Sequence, residues 1–332
     1  MRIGNSNGIH VHIGKGVFLD PERKFSEGTG VVSHAHSDHA KLKKNDSLIM
    51  TPQTRQLIES NSGKKTGANE TEFGKKVPLS DGFELSLHSS GHILGSAQLL
   101  LEGSQSVAIT SDFKLEDSLT IKGAVPLKAE ILAIETTFGL QKFAFPGHEA
   151  VYAEMASWAK RELEKNNYLM LAGYSTGKAQ DLTAFCNKYL GISPIVYQQV
   201  YDNNLVYEKN GVKLGEFIKP THKLNESQCL IVPPHLVSEH FLHAVSLITG
   251  KRVSSAIATG WGGRIWPFDR VFSLSDHADF GGLCEYVRES GAKHIYTYHG
   301  FAGEFASYAS RRLGVSAKPI GKAGQSALNE FV

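Results

Sequence analysis

Apolar residues in this chain come mostly in short runs, and several of the runs end abruptly on a polar cluster holding histidine, aspartate or glutamate. Thr29-Gly30-Val31-Val32 leads into Ser33-His34-Ala35-His36-Ser37-Asp38-His39, and Val107-Ala108-Ile109-Thr110 leads to Asp112. Ile131-Leu132-Ala133-Ile134 runs to Glu135, Val271-Phe272-Ser273-Leu274 to Asp276-His277, and His294-Ile295-Tyr296-Thr297 to His299. Runs this short and this rich in β-branched residues predict strands rather than helices. The chemically capable side chains then sit at strand ends, from which a rigid sheet can aim several groups at one point. Helical segments lie between them. Glu149 to Lys165 is the clearest, combining good helix formers with an apolar stripe at Val151, Met155 and Trp158.

The stretch from Leu169 to about Ser254 reads differently. Tyr168-Leu169-Met170-Leu171-Ala172 and Cys229-Leu230-Ile231-Val232 predict strands alternating with helices, and no strand in it ends on a ligand-like cluster. The pattern predicts a small α/β unit. Because the ligand-like pattern resumes after it, the unit is expected to be an insertion. The predicted organisation is one domain in two parts, 1–170 and 255–332, with 171–254 inserted.

Composition narrows the class. With 332 residues, 41% hydrophobic and 20% charged, the chain reads as a folded globular protein and not as a disordered or fibrous one. A net charge of +2 is too small to name a polyanionic partner, since binding depends on where charge clusters. No run approaches the roughly 18 apolar residues of a membrane span, and the N-terminal residues lack the apolar segment of a signal peptide. Cys186, Cys229 and Cys284 are far apart and outside any Cys-x-x-Cys spacing. They predict buried thiols of a reducing compartment, and the cytoplasm is the expected location.

His34-x-His36-x-Asp38-His39 is the strongest chemical signal. Alternate residues of a loop can turn toward one point, and neutral imidazole with carboxylate suits Zn²⁺, Mn²⁺ or Fe²⁺. His92 in Ser89-Ser90-Gly91-His92, Asp112, and His299 in Thr297-Tyr298-His299-Gly300 follow predicted strands or adjoin glycine, and together they favour one site.

With these motifs in this order, the sequence resembles the metallo-β-lactamase superfamily and, within it, the β-CASP nucleases. The resemblance covers essentially the whole chain and implies an αββα metallo-β-lactamase sandwich carrying an inserted α/β β-CASP domain. It implies that His34, His36 and His92 hold one divalent metal, that Asp38, His39 and His299 hold a second, and that Asp112 bridges the two. Zinc is the expected ion, with manganese the alternative. Paired ions of this kind lower the pKa of a shared water and clamp phosphoryl oxygens. Asp20 in Phe18-Leu19-Asp20 and Glu135 in Ile134-Glu135-Thr136 match the family's two further acidic positions, and they are expected to orient ligand imidazoles. His277, at a strand end beside Asp276 and Asp279, is expected to be the general acid for the leaving oxygen and not a ligand. Gly177-Lys178-Ala179-Gln180, Gly260-Trp261 and Leu274-Ser275-Asp276-His277-Ala278-Asp279 look closest to the short exonuclease-like members. Those occur beside DNA ligase and helicase functions and are often labelled messenger-RNA 3′-end processing factors.

Two segments suggest contacts to a nucleic-acid backbone. Gly173 to Gln180 fails the nucleotide-binding pattern, since Ala172 stands where its first glycine belongs. A loop entering a helix still offers a positive end to phosphate, so Ser175, Thr176 and Lys178 are expected contacts. Arg264, among Gly260-Trp261-Gly262-Gly263, is another. Lys41, Lys43 and Lys44 follow the metal loop and are placed to steer a polyanion. The expected function is a two-metal nuclease, an exonuclease by its resemblance, acting on DNA or RNA with a leaning to single-stranded DNA ends in repair. The alternatives are an RNA 3′-end processing ribonuclease of the same fold, a small-molecule metallohydrolase, and a scaffold that binds nucleic acid without cutting it.

Overall fold

A computed structural model describes residues 2–41, 47–221, 223–262 and 267–321. They form a mixed α/β structure in two compact units: Met1–Leu115, Gly123–Ala144 and His277–Val332 make the first, and Glu116–Lys122 with Phe145–Asp276 the second.

The first unit holds two sheets. One is built in sequence order from β1 (Arg2–Asn5), β2 (Ile9–His12), β3 (Val17–Leu19), β4 (Thr29–Val31), β5 (Leu48–Met50) and β6 (Asn69–Glu70). It starts as an antiparallel meander, and β3 to β6 run parallel. The other contains β7 (Val77–Pro78), β8 (Glu84–Ser89), β9 (Ala97–Glu102), β10 (Val107–Ile109) and β11 (Ile131–Glu135), followed by strands His294–Tyr298 and Ser316–Pro319 on its far edge. Period-2 alternation sorts side chains between two cores. Val107, Ile109, Ile131 and Ala133 join Val11, Val17 and Val31 between the sheets. Their sequence neighbours Ala108, Leu132 and Ile134 face the other way, against Leu283, Tyr286 and Val287 of helix Phe280–Ser290 and Phe305 and Ala309 of helix Ala302–Arg312. α1 (Pro52–Ser62) starts on Thr51, whose hydroxyl accepts from the Thr54 amide.

The second unit is a five-stranded parallel sheet. Its strands are β12 (Tyr168–Ala172), β13 (Ile195–Val196), β14 (Cys229–Val232), β15 (Val253–Ala258) and β16 (Arg270–Phe272), in the order β13-β14-β12-β15-β16. Parallel strands are covered on both faces, so they read as continuous apolar runs, as Tyr168–Ala172 does. α2 (His148–Glu164), α3 (Lys178–Phe185) and α4 (Gln198–Lys209) share one core with Leu169, Leu171 and Ile231, and α5 (Glu239–Thr249) contributes Val245 to the other. Cys186 and Cys229 lie in the first of these cores with sulfurs 3.7 Å apart, and Cys284 is buried in the first unit; all three are free thiols.

This unit is larger than the expected 171–254. α2 precedes that segment, β12 and β15 straddle its two ends, and β16 follows it; together they build the sheet and its helical layer. Among the described residues no helix is long and apolar enough to cross a membrane.

α2 and β15 are tied by a polar network. Glu162 accepts from Lys165, from Asn167 Nδ2 (2.8 Å) and from Ser254 Oγ (2.7 Å). The Lys165 ammonium first, then the Ser254 hydroxyl, hold its carboxyl at about 2, below an ordinary 4.5. A depressed carboxyl stabilises the fold above its unfolded pKa and loses that contribution as pH falls toward the folded one. Glu162→Gln should therefore cost about 1 kcal/mol at pH 7, with the gap to wild type in urea midpoints closing between pH 4.5 and 2. A gap that does not change with pH would contradict the assignment.

Candidate metal centre

The candidate ligands sit where the strand pattern puts them. Asp20 follows β3, the His34–His39 loop follows β4, His92 follows β8, Asp112 follows β10, Glu135 closes β11, and His299 follows strand His294–Tyr298. All belong to the first unit, as does His277.

Asp20 organises the loop. Its Oδ1 accepts the Ser33 amide (2.7 Å), and its Oδ2 accepts both the Ser33 hydroxyl (2.7 Å) and His39 Nδ1 (2.7 Å). Because the single hydroxyl proton of Ser33 goes to Asp20, its oxygen is left to accept from His34 Nδ1, 2.8 Å away. His34 and His39 therefore both keep a proton on Nδ1, so that Nε2 is the nitrogen each has left for an ion. Ser33 gave no sign in the sequence beyond standing directly before His34.

The Nε2 atoms of His34 and His92 each lie 3.1 Å from Nδ1 of His36, and the three donor atoms fall within 4.8 Å of one another. Bonds of about 2.0–2.1 Å from tetrahedral zinc to nitrogen separate the nitrogens by roughly 3.3 Å, so this spacing suits a shared ion. Asp112 Oδ2 stands 3.7 Å from His34 Nε2 on one side and 3.2 Å from His39 Nε2 on the other. Asp112 Oδ1 is 3.8 Å from His299 Nδ1, and Asp38 Oδ2 is 3.6 Å from His39 Nε2. Asp112 is buried, yet Oδ1 has no hydrogen-bond partner among the described residues. A buried carboxylate oxygen without a donor is costly. A cation between Asp112 and the imidazoles would satisfy it, and the donor set fits one.

The electrostatics point the same way. Burial opposes charge on His39, but the Asp112 and Asp20 carboxylates outweigh it and raise the imidazole to about 11. Burial pushes His34 well below its ordinary value, helped by its histidine neighbours. Burial would raise Asp112, yet the imidazoles of His39 and His277 hold it ionised, well below the usual carboxylate range. Backbone strain gathers here too. Asp20 (φ 51°), Ser111 (φ 50°) and His299 (φ 57°) adopt left-handed conformations that cost non-glycine residues energy and persist where the surroundings enforce them.

Glu135 is fully buried, accepting the Thr137 amide on Oε2 (2.7 Å) and His277 Nδ1 on Oε1 (3.1 Å). The carboxylate bonded to His277 is thus distant in sequence. The sequence neighbours Asp276 and Asp279 have other duties: Asp276 pairs with Lys178, and Asp279 caps helix Phe280–Ser290 through the Gly282 amide. His277 also lies beside His92, ring centroids 4.8 Å apart, and offers a nitrogen to a group with His92 and Asp112.

The expected phosphate contacts fare differently. Ser175, Thr176 and Lys178 belong to the second unit. Lys178 is only 2% exposed and its ammonium lies 2.8 Å from Asp276, so the contact expected of it is not available here. Its stem packs over Gly173, where a Cβ would fall 2.6 Å from Lys178 Cγ, and a buried ammonium needs its counter-charge. Thr176 is also buried and accepts from Asn203 Nδ2 (2.9 Å). Ser175 is half-buried, its carbonyl taken by Gln180 and Asn203. Lys41 pairs with Glu22 at 2.7 Å; Lys43, Lys44 and Arg264 lie outside the described residues.

No family model matches the chain. Over 309 residues it is 32% identical to a probable DNA ligase of Opitutus terrae, an overlap covering 91% of this chain and 29% of that protein. It is 26% identical over 234 residues to the probable RNase MJ4 of Methanocaldococcus jannaschii, covering 60% of this chain and 52% of the relative. Over 146 residues it is 26% identical to the transcription termination factor FttA of Methanothermobacter thermautotrophicus, covering 42% and 23%. These similarities agree with the resemblance to the β-CASP group of the metallo-β-lactamase superfamily. The chain spans only about a quarter to a half of the length of these curated relatives. The crystal structure of a protein of unknown function from Enterococcus faecalis shares the fold of this chain, with a TM-score of 0.63 at 12% identity, covering 91% of this chain and 94% of that one.

Asp20→Asn isolates the role of the carboxylate, because asparagine tolerates the left-handed backbone that Asp20 adopts. The amide cannot accept from Ser33 and His39 as the carboxylate does. Metal affinity should fall about 10- to 100-fold, measured by competition with a chromogenic chelator. Wild-type affinity would show that the loop holds its imidazoles without Asp20.

Proposed function

We propose that this chain is a two-metal phosphodiesterase that hydrolyses the backbone of nucleic acids. The first unit would be the αββα metallo-β-lactamase sandwich, and the second the inserted β-CASP domain. The observation that carries the reading is Asp112, whose carboxylate stands between His34 and His39 with its second oxygen unpartnered beside His299. His34, His36 and His92 would hold one divalent ion, Asp38, His39 and His299 the other, and Asp112 would bridge. Imidazole and carboxylate donors suit zinc first and manganese second. Bound ions would supply water activation and charge neutralisation at phosphorus.

The chain's own residues do the rest. Asp20 and Ser33 fix the tautomers of His39 and His34, so their Nε2 lone pairs face the centre. Glu135 accepts from His277 Nδ1, which leaves the opposite ring nitrogen to deliver a proton to the departing sugar oxygen. Lys178 and Thr176, committed to partners of their own, hold the loop around Ser175; Ser175 and Arg264 are the proposed phosphate contacts.

The leaning is to single-stranded DNA ends, processed exonucleolytically in repair alongside a DNA ligase or helicase. The similarity to a probable DNA ligase, which spans 91% of this chain, supports it. The similarity to a probable RNase supports the competing reading, a ribonuclease for RNA 3′-end processing.

Matched end-labelled DNA and RNA strands, incubated with Zn²⁺ or Mn²⁺, test the proposal directly. Cleavage of single-stranded DNA supports it. Strict cutting of RNA with DNA untouched at high enzyme would replace repair by RNA maturation, and no cutting of either polymer would end the nuclease reading.

His277→Ala should lower kcat on an oligonucleotide about 10²–10⁴-fold while retaining its metal content. A nitrophenyl phosphodiester, whose leaving group needs no proton, should be much less affected. Loss of one metal equivalent in His277→Ala would instead make His277 a ligand with His92 and Asp112.

A further inference from the structure

Beside the candidate centre, the first unit carries a group of aromatic side chains that the metal chemistry does not use. Phe138, in the loop after Glu135, is buried and meets the His277 ring edge-on at 6.1 Å. Phe143 follows at 5.0 Å from Phe138, and Phe301 at 5.5 Å from Phe143 with an interplanar angle of 37°. Phe138 belongs to the interior, whereas Phe143 and Phe301 are both half-buried. Lys142 is exposed and holds its ammonium 5.1 Å from the centroid of the Phe143 ring.

These rings stand on a braced stretch of backbone. Thr136 donates its hydroxyl to the carbonyls of Tyr298 (3.0 Å) and His299 (2.7 Å), and its own carbonyl accepts the amides of Gly139 (3.0 Å) and Phe301 (2.9 Å). The Phe143 carbonyl accepts the Phe280 amide at 3.0 Å. Gly300 has φ 50° and runs so close to Thr136 that a Cβ would lie 2.4 Å from its carbonyl oxygen. The braces fix Phe301 two residues beyond His299, and the 6.1 and 5.0 Å ring spacings place Phe143 at most about 11 Å from His277.

We infer that Phe143 and Phe301 form a shelf on which a base of a single-stranded substrate stacks, next to the phosphate being cut. The inference rests on the nuclease reading and adds to it how the strand is held. Every base has a π-face, so a shelf of this kind grips a strand without reading its sequence. The rings are 5.5 Å apart and tilted, too close to admit a base between them, so the base lies on their outer surface. Lys142, already over one ring, supplies positive charge for the adjoining phosphate.

The test is a cycle that deletes the ring and the base in turn. Two single-stranded oligonucleotides are compared under single-turnover conditions, one intact and one abasic at the nucleotide flanking the cut. Wild type should prefer the intact strand by about 5- to 150-fold in kcat/KM. Phe143→Ala and Phe301→Ala should erase most of that preference, Phe143→Leu should behave like Ala although it preserves apolar packing, and Phe143→Tyr should retain it. A 2-aminopurine at the flanking position should be quenched on binding to wild type and to Phe143→Tyr, and not to Phe143→Leu. A preference that survives in the Leu and Ala variants would overturn the shelf while leaving the nuclease reading intact. Absence of any binding or cutting of nucleic acid by wild type would overturn both.

Discussion

Much of the first unit's chemistry turns on one carboxylate that is buried before its charge is satisfied. Asp112 follows β10 among several imidazoles, and its Oδ1 has no hydrogen-bond donor among the described residues. Desolvating an anion this way is tolerated only where positive charge is close. The protein supplies part of it through His39, whose imidazole the Asp112 and Asp20 carboxylates shift upward against the effect of burial. A metal would take the place of the second proton on that ring. The donor groups of the centre are compatible with a bound cation, and Ser111 and His299 nearby adopt left-handed backbone conformations.

From this constraint the surrounding design follows. A lone pair aimed inward requires the other ring nitrogen to be tied down, and Asp20 does so for His39 directly and for His34 through Ser33. Glu135 likewise ties down Nδ1 of His277, the ring proposed to deliver a proton. Both carboxylates are themselves fixed by backbone amides, of Ser33 and of Thr137, so that positions are passed from the sheets to the imidazoles through short rigid links.

Much of this was legible before any coordinates. A strand with both faces covered reads as an apolar run, so β4, β10, β11 and β12 stand out from hydrophobicity alone, and so do the His, Asp and Glu residues that close or follow the first three. α2 was found within one residue at each end because its stripe has helical period. What escaped was pairing over long sequence distances. Sequence sets Asp276 and Asp279 beside His277, but the carboxylate that meets its Nδ1 is Glu135, on another strand. Lys178 looked like a phosphate contact because its loop enters a helix, but only the fold brings Asp276 to its ammonium. The compact second unit also takes in α2 and β16 for a related reason: neither segment shows in sequence which sheet it serves, and β16 is placed only by its pairing with β15.

The central claim is that two cations share Asp112. Anomalous diffraction from crystals of the metal-loaded protein, collected on either side of the zinc or manganese edge, addresses it most directly. The account predicts two peaks about 3.5–4 Å apart, one against His34, His36 and His92, the other against Asp38, His39 and His299, with Asp112 touching both. A single peak, or two peaks with Asp112 bound to neither, would contradict it.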